Sequence, residues 1–190
     1  MREAQAIDFL DFDQSTEQKG VQTSPSAMSQ HLVFSVAGLE MTVSLEQVSE
    51  IVPYERVSSL PGMPPYIRGV TQVRERWTPV IDLSLKFGLP PAQLTNRSCI
   101  LVLDLDVHGE SVAVGIVLDA VATLLELDTS RISPAPRFGL GVDVKYMKGL
   151  VVTERGSMPL IDFAQIFADA ELDYIAAGAA QTDNQRSLTR

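Results

Sequence analysis

Apolar and polar residues alternate with a period of two along most of the chain between residues 31 and 168. Successive side chains on a β-strand point to opposite faces, so this alternation is typical of strands with one buried face. Turn-forming residues separate the runs, such as Gly38 and the polar stretch 106–110. The predicted strands are 31–37, 40–44, 72–76, 78–81, 98–105 and 111–117. Short strands at this spacing predict a mainly β protein built of small barrels.

Helices are predicted at two places, each directly after an aspartate. Asp82 precedes an apolar turn that ends at Gly88, and Asp162 precedes a matching turn. An aspartate before the first helical residue accepts hydrogen bonds from unpaired backbone amides, and glycine readily ends a helix. The two aspartates are therefore interpreted as helix caps and not as paired carboxylates for acid–base chemistry.

An internal repeat accompanies these elements. The block 66–70 (Tyr-Ile-Arg-Gly-Val) returns as 146–150 (Tyr-Met-Lys-Gly-Leu), and 79–83 (Pro-Val-Ile-Asp-Leu) returns as 159–163 (Pro-Leu-Ile-Asp-Phe), both at a shift of 80 residues. Residues 45–48 return as 118–121 at a shift of 73. The repeated residues expected to hold the backbone are Gly69, Pro79, Asp82, Gly149, Pro159 and Asp162. Two copies of one module are predicted, with function in residues that differ between them.

The repeat suggests a division of the chain into two modules with a tail at each end. A first barrel module is expected over 31–93 and a second over 94–170, with a boundary that exchanged strands would blur. Residues 1–30 are expected to be a disordered acidic tail, because they contain few large apolar side chains. A helical and then disordered tail is expected over 171–190.

Composition excludes several classes of protein. The net charge is −9 and the 15 Lys and Arg residues are scattered, which disfavours nucleic acid binding. No apolar run is long enough to insert into a membrane, and no secretory leader is visible, so a cytoplasmic location is expected. Cys99 is the single cysteine and is interpreted as a buried thiol. The repeated positions hold no nucleophile, base or metal-ligand set, so we expect no cofactor, no metal and no enzyme activity.

Several sequence blocks together resemble one known family. Val48-Ser49-Glu50-Ile51, the run 60–70, Val73-Arg74 and the run 79–90 are similar to the signature of CheW-like chemotaxis coupling proteins. In the second half, 115–121 and 146–150 are similar to the same family. The resemblance covers about residues 31 to 168.

This resemblance implies two SH3-like five-stranded β-barrels and a non-catalytic adaptor. Such proteins join the cytoplasmic tip of a chemoreceptor to the regulatory domain of a CheA-type histidine kinase, in arrays at the membrane. The family's receptor-binding groove implies a set of site residues here: Val48, Glu50, Ile51, Gln72, Val73, Arg74 and Glu75. For Val48 and Ile51, core packing is the alternative, and it is the favoured interpretation for Ile51, which is repeated as Leu124. For Arg74, a solvated surface position is the alternative.

Glu50 and Arg74 are among the site positions that differ between the copies, and several positions depart from the family pattern. Glu50 corresponds to Thr123 and Arg74 to Glu154, so the module does not need either side chain to fold. Gln72 replaces the family's Asn, Ser84 its Arg, and Glu75 its turn Gly. Glu75 is expected to adopt a different turn or to accept strain of about 1 kcal/mol. These departures leave open whether the chain serves flagellar chemotaxis or a related pathway.

A different class of function remains as an alternative. Trp77 and Tyr146 would form part of a small-molecule pocket in a β-barrel sensor protein. Packing of Trp77 against a barrel or an interface is the favoured interpretation, because large aromatic residues usually have that role.

Overall fold

The structure is a computed structural model that describes residues 28–107, 109–136, 141–154 and 156–167. These ranges contain eleven strands and two four-residue helices. The strands are β1 (Met28–Val36), β2 (Leu39–Ser44), β3 (Val48–Pro53), β4 (Ile67–Val73), β5 (Arg76–Ile81), β6 (Cys99–Val107), β7 (Glu110–Leu118), β8 (Ala120–Asp128), β9 (Ile132–Ser133), β10 (Met147–Thr153) and β11 (Gly156–Ile161). The helices are α1 (Leu83–Lys86) and α2 (Phe163–Ile166). The expected tails lie outside the described residues, except for 28–30, which form the start of β1.

The strands form two sheets that exchange hairpins between the two halves of the chain. In the described residues, one sheet has the order β8-β1-β2-β11-β10-β9 and the other has the order β3-β6-β7-β5-β4. The β1–β2 hairpin of the first half therefore lies among strands of the second, and the β6–β7 hairpin lies among strands of the first. Each sheet therefore contains strands from both sides of residue 93. The division into modules at 31–93 and 94–170 describes the repeat in the sequence and stays a prediction.

Two short parallel contacts hold the exchanged hairpins in place. Leu160 of β11 lies opposite Thr42 of β2, and Val80 of β5 lies opposite Gly115 of β7. The Thr42 hydroxyl also donates to the Pro159 carbonyl over 3.1 Å. The repeated prolines, Pro79 and Pro159, thus directly precede Val80 and Leu160, the residues that pair with the exchanged hairpins.

The largest buried cluster is shared by both sheets. It includes alternate residues of β1, such as Phe34, and alternate residues of β6, such as Leu101 and Leu103. The intervening β6 residues Ile100 and Val102 face a second, smaller cluster drawn from the five-stranded sheet. Strand β6 is therefore buried on both faces, which explains its nearly continuous apolar sequence.

One predicted strand is wrong. The interval 72–76 was expected to be continuous, whereas β4 ends at Val73 and β5 begins at Arg76. Arg74 and Glu75 form the turn between them with φ angles of 45° and 68°. The alternation of polar residues with Val73 has the period of a strand, but the chain reverses inside it. Antiparallel pairing of Val73 with Arg76 fixes the position of the turn.

The repeated glycines lie where two backbones cross. The register of β4 against β5 shifts between Ile67 and Gly69, and that of β10 against β11 shifts between Met147 and Gly149. A Cβ on Gly69 would lie 2.1 Å from the Ser58 carbonyl oxygen, and one on Gly149 would lie 2.6 Å from that of Ser133. Both glycines are thus required by the same close approach, in agreement with their expected structural role.

The repeated aspartates are both helix caps, as predicted, but their surroundings differ. Asp82 accepts from the Ser84 amide at 3.0 Å, and Asp162 accepts from the Ala164 amide at 3.2 Å. The fully buried Asp82 carboxylate also accepts from the Ala92 amide at 3.0 Å and forms an ion pair with Arg68 at 2.7 Å. The half-buried Asp162 has no ion pair within the described part of the chain. Asp82 therefore fastens the segment that joins α1 to β6 as well as capping α1.

Replacing Gly69 by alanine is expected to destabilise the protein strongly. The new methyl group meets a backbone oxygen and not a flexible side chain, and Gly69 has a φ of 144°. Overpacking and an unfavourable φ together predict a loss of about 2 kcal/mol or more in the free energy of unfolding. Gly62→Ala is the matched control, because its φ is 81° but no atom lies within 4 Å. That control should lose about 1 kcal/mol in urea denaturation. Equal losses in the two variants would contradict the close approach.

The two caps should differ in their contribution to stability. Asp82→Ala removes the buried carboxylate and leaves the Arg68 guanidinium without its ion-pair partner. Loss of one member of a buried ion pair typically lowers the free energy of unfolding by about 3–5 kcal/mol. Asp162→Ala removes an N-cap only, which typically costs about 1 kcal/mol. Thermal and urea unfolding of the two variants would measure the difference. If both variants lose the same stability, the Arg68 ion pair and the Ala92 hydrogen bond contribute nothing beyond the cap.

Candidate functional site

The seven predicted site residues lie at the two edges of the five-stranded sheet. Val48, Glu50 and Ile51 are on β3, which is one edge strand. Gln72 and Val73 end β4, the other edge strand, and Arg74 and Glu75 form its turn into β5. The two groups are far apart in the sheet order, yet curvature of the sheet brings its edges together. The bridge between Ser58 and Val70 closes the sheet beside them.

An ion pair joins the two edges. Arg74 Nε lies 2.9 Å from Glu50 Oε1, and their side chains are 71% and 21% exposed. The sequence singled out both residues because neither is shared with the other copy, and the structure places them in contact. A pair this exposed contributes at most about 1 kcal/mol to stability, because solvent screens the charges. The Arg74 guanidinium retains donors that a partner carboxylate can reach.

The apolar members of the predicted site differ in burial. Val73 is only 7% exposed and packs in the smaller core cluster, so its side chain belongs to the core. Val48 is half-buried and packs against the cluster that both sheets share. Ile51 is 42% exposed, and its repeat counterpart Leu124 is 48% exposed. The favoured interpretation of Ile51 as core packing is therefore wrong. Both residues are on edge strands, where an outward-facing side chain has no neighbouring strand to cover it.

The turn that carries Arg74 is strained. A two-residue turn with positive φ at both positions is the type that Asn-Gly prefers. Here the positions hold Arg74 and Glu75, with φ angles of 45° and 68°. Of the two outcomes expected for Glu75, the structure shows the strained one. This turn places two long charged side chains at the exposed tip of the β4–β5 hairpin.

At the equivalent place in the six-stranded sheet, no ion pair is formed among the described residues. Thr123 on β8 corresponds to Glu50, and Glu154 at the β10–β11 turn corresponds to Arg74. A threonine and a glutamate cannot form a salt bridge. The Thr123 hydroxyl instead donates to the Leu124 carbonyl over 3.3 Å. The two copies therefore share a backbone arrangement and differ in the chemistry of this surface.

A cleft of about 540 Å³ lies next to the ion pair. Its lining residues are Val52, Pro53, Glu55, Arg56, Ser58, Thr71, Gln72 and Trp77. Tyr146, the other aromatic residue of the sensor alternative, does not line it. Tyr146 packs against Phe87, with ring centroids 5.7 Å apart. Trp77 and Tyr146 therefore do not share this cleft.

The described residues contain no group of three or more His, Cys, Asp or Glu side chains placed to hold a metal ion. Burial raises the pKa of the half-buried Cys99 thiol, which disfavours the reactive thiolate. Over the same residues, no helix has the length and apolar character that crossing a bilayer would require.

The two sheets, with charged and apolar side chains exposed on their edge strands, define a protein built of β-barrel modules. Comparison with known proteins identifies the family. The model of the CheW-like domain matches residues 30–171. The chain belongs to the CheW-like family.

Relatives of known name agree with this assignment. The chain is 30% identical over 141 residues to chemotaxis protein CheW of Klebsiella aerogenes, covering 74% of this chain and 82% of that one. It is 30% identical over 153 residues to chemotaxis protein CheW of Bacillus subtilis, covering 80% and 92%. The crystal structure of scaffolding protein TtCheW from Thermoanaerobacter tengcongensis matches with a TM-score of 0.67 at 24% identity, covering 77% of this chain and 92% of that chain. This likeness confirms the predicted fold of two SH3-like barrels.

Replacing Glu75 by glycine is expected to stabilise the protein. Glycine adopts a φ of 68° without the steric cost that glutamate carries, and relief of that cost predicts a gain of about 0.5–1 kcal/mol. Glu40→Gly on β2 is the control, because Glu40 is an exposed strand residue whose φ is not positive. It should lose about 0.5–1 kcal/mol. Urea midpoints of the two variants measure the difference, and a destabilised Glu75→Gly would contradict the strained turn.

Proposed function

We propose that this protein is a non-catalytic adaptor that couples chemoreceptors to a CheA-type histidine kinase in chemotaxis-like signalling. The match of the CheW-like family model to residues 30–171 carries this proposal. The names of the relatives, chemotaxis protein CheW, support it, as does the description of a similar structure as a scaffolding protein. The proposed place of action is the cytoplasm, at membrane-associated receptor arrays.

The receptor-binding surface is proposed to lie at the joined edges of the five-stranded sheet. Glu50 and Arg74 supply its charges, while Ile51 and the half-buried Val48 supply apolar contact area. The exposure of Ile51 supports this assignment, since a large apolar side chain left in water is available for a partner. Gln72 and Glu75 flank the pair as exposed polar residues. The buried Val73 acts only through packing.

A chemoreceptor tip and the kinase regulatory domain are proposed to use different surfaces. The joined edges are rich in charge, which suits a partner with complementary charges and affects the rate of association as well as affinity. The duplicated barrels offer the kinase a second surface away from this site. Loss of receptor binding with kinase binding retained is therefore the pattern expected for changes at Arg74.

Arg74→Glu should weaken receptor binding about tenfold or more, because a lost charge contact at an interface typically costs about 2 kcal/mol or more. The melting temperature should change little, since the side chain is exposed and surface changes usually stay within about 0.5 kcal/mol. Titration calorimetry with a chemoreceptor cytoplasmic fragment, and separately with the kinase regulatory domain, measures both effects. Normal receptor binding by a folded variant would contradict the site, and an unfolded variant would show that Arg74 is structural.

Two further variants separate contact from intramolecular effects. Glu154→Arg makes a charge change at the equivalent turn of the second copy, and receptor affinity should stay unchanged. The double variant Glu50→Arg with Arg74→Glu restores an ion pair of reversed polarity. If receptor binding stays weak in the double variant, the two side chains contact the receptor. If binding recovers, the pair acts only by joining the sheet edges.

A further inference from the structure

The two sheets leave one edge strand protected and the equivalent one open. β3 spans six residues, contains Pro53 and is crossed by the Glu50–Arg74 ion pair. β8 spans nine residues, contains no proline and no basic residue, and lacks any charge from Ala120 to Leu125. Native proteins usually protect edge strands with short length, proline or charge, because an open edge pairs with other strands. β8 shows none of these protections over its first six residues.

A cleft of about 440 Å³ lies between β8 and β10 in this sheet. Strand β9 pairs with β10 at two residues, Leu150 and Val151. The next residue, Val152, is 43% exposed and lines the cleft together with Leu125 and Met158. Apolar surface thus remains open to solvent beside an unpaired strand edge.

The rim of this cleft is acidic. Among the described lining residues, Glu40, Glu126 and Glu154 are acidic and Arg131 is the one cation. None of these four charged groups has an ion-pair partner among the described residues. A rim with an excess of carboxylates attracts a cationic partner and repels a second copy of this chain, whose net charge is −9.

We infer that the β8/β10 cleft binds an extended, basic segment of a partner protein, which adds as a strand to the open edge of β8. Main-chain hydrogen bonds to β8 supply affinity, and alternate apolar side chains enter the cleft beside Val152. Lysine or arginine side chains on the segment pair with Glu126 and Glu154. This inference is independent of the proposed receptor-binding surface, which is assigned to the five-stranded sheet.

A synthetic probe tests the mode of binding. A fluorescein-labelled peptide of about ten residues with alternating Val and Lys matches the length of β8. Fluorescence anisotropy with the full chain should give saturable binding with one peptide per chain. The same peptide N-methylated at every second residue keeps its charge and side chains but loses the hydrogen bonds of one edge. It should bind at least about tenfold more weakly. Equal binding of both peptides would overturn strand addition.

Matched variants locate the site. Glu126→Gln with Glu154→Gln should weaken binding several-fold, while Glu55→Gln with Glu110→Gln removes the same charge elsewhere and should have a smaller effect. Val152→Asp should weaken binding although it adds attraction for the cationic peptide, whereas Gln72→Asp at the equivalent position should not. Equal effects within either comparison would show non-specific attraction and overturn the site. A dimer by light scattering that Leu124→Lys dissociates would assign the edge to a second copy instead.

Discussion

The exchange of β-hairpins between the two halves is the constraint on which the rest of this structure depends. Neither sheet can be completed by one half of the chain, because β1–β2 and β6–β7 each pair with strands of the other half. The exchange also draws both sheets into one shared core that includes Phe34 and Leu103. Residues far apart in sequence are consequently fixed relative to each other, which gives the two barrels one rigid set of outer surfaces.

On this common frame, duplication separates the residues that fold the protein from those available for binding. Gly69 and Gly149 are kept for the same reason, since each lets one backbone pass close to another. Glu50 and Arg74 form an ion pair across one pair of sheet edges, while Thr123 and Glu154, at the equivalent positions, cannot form a salt bridge with each other. The same backbone position is therefore free to carry different chemistry in the two copies.

Equivalence in sequence does not mean equivalence in energy. Asp82 and Asp162 both cap a helix, but only Asp82 is buried with an arginine and holds the segment that leads to β6. The repeat has Arg68 in the first copy where the second copy has Lys148. The planar Arg68 guanidinium contacts the buried carboxylate through two nitrogens, Nε at 3.0 Å and Nη2 at 2.7 Å. Similarly, Ile51 and Leu124 are both exposed, but within the described residues only the edge strand that carries Ile51 takes part in an ion pair of this kind.

The sequence by itself determined the repeat, the caps at Asp82 and Asp162, the class of fold and the pair of residues, Glu50 and Arg74, that distinguish the copies. Those features are local, or depend on comparing one part of the chain with another. Tertiary structure decided which strands pair, because a period of two shows that a strand has a buried face but does not identify its neighbour. It also decided that Ile51 is exposed, since an apolar residue on an edge strand has the same pattern as one in a core. The turn at Arg74 and Glu75 likewise needed the pairing of β4 with β5, which imposes positive φ angles on residues that disfavour them.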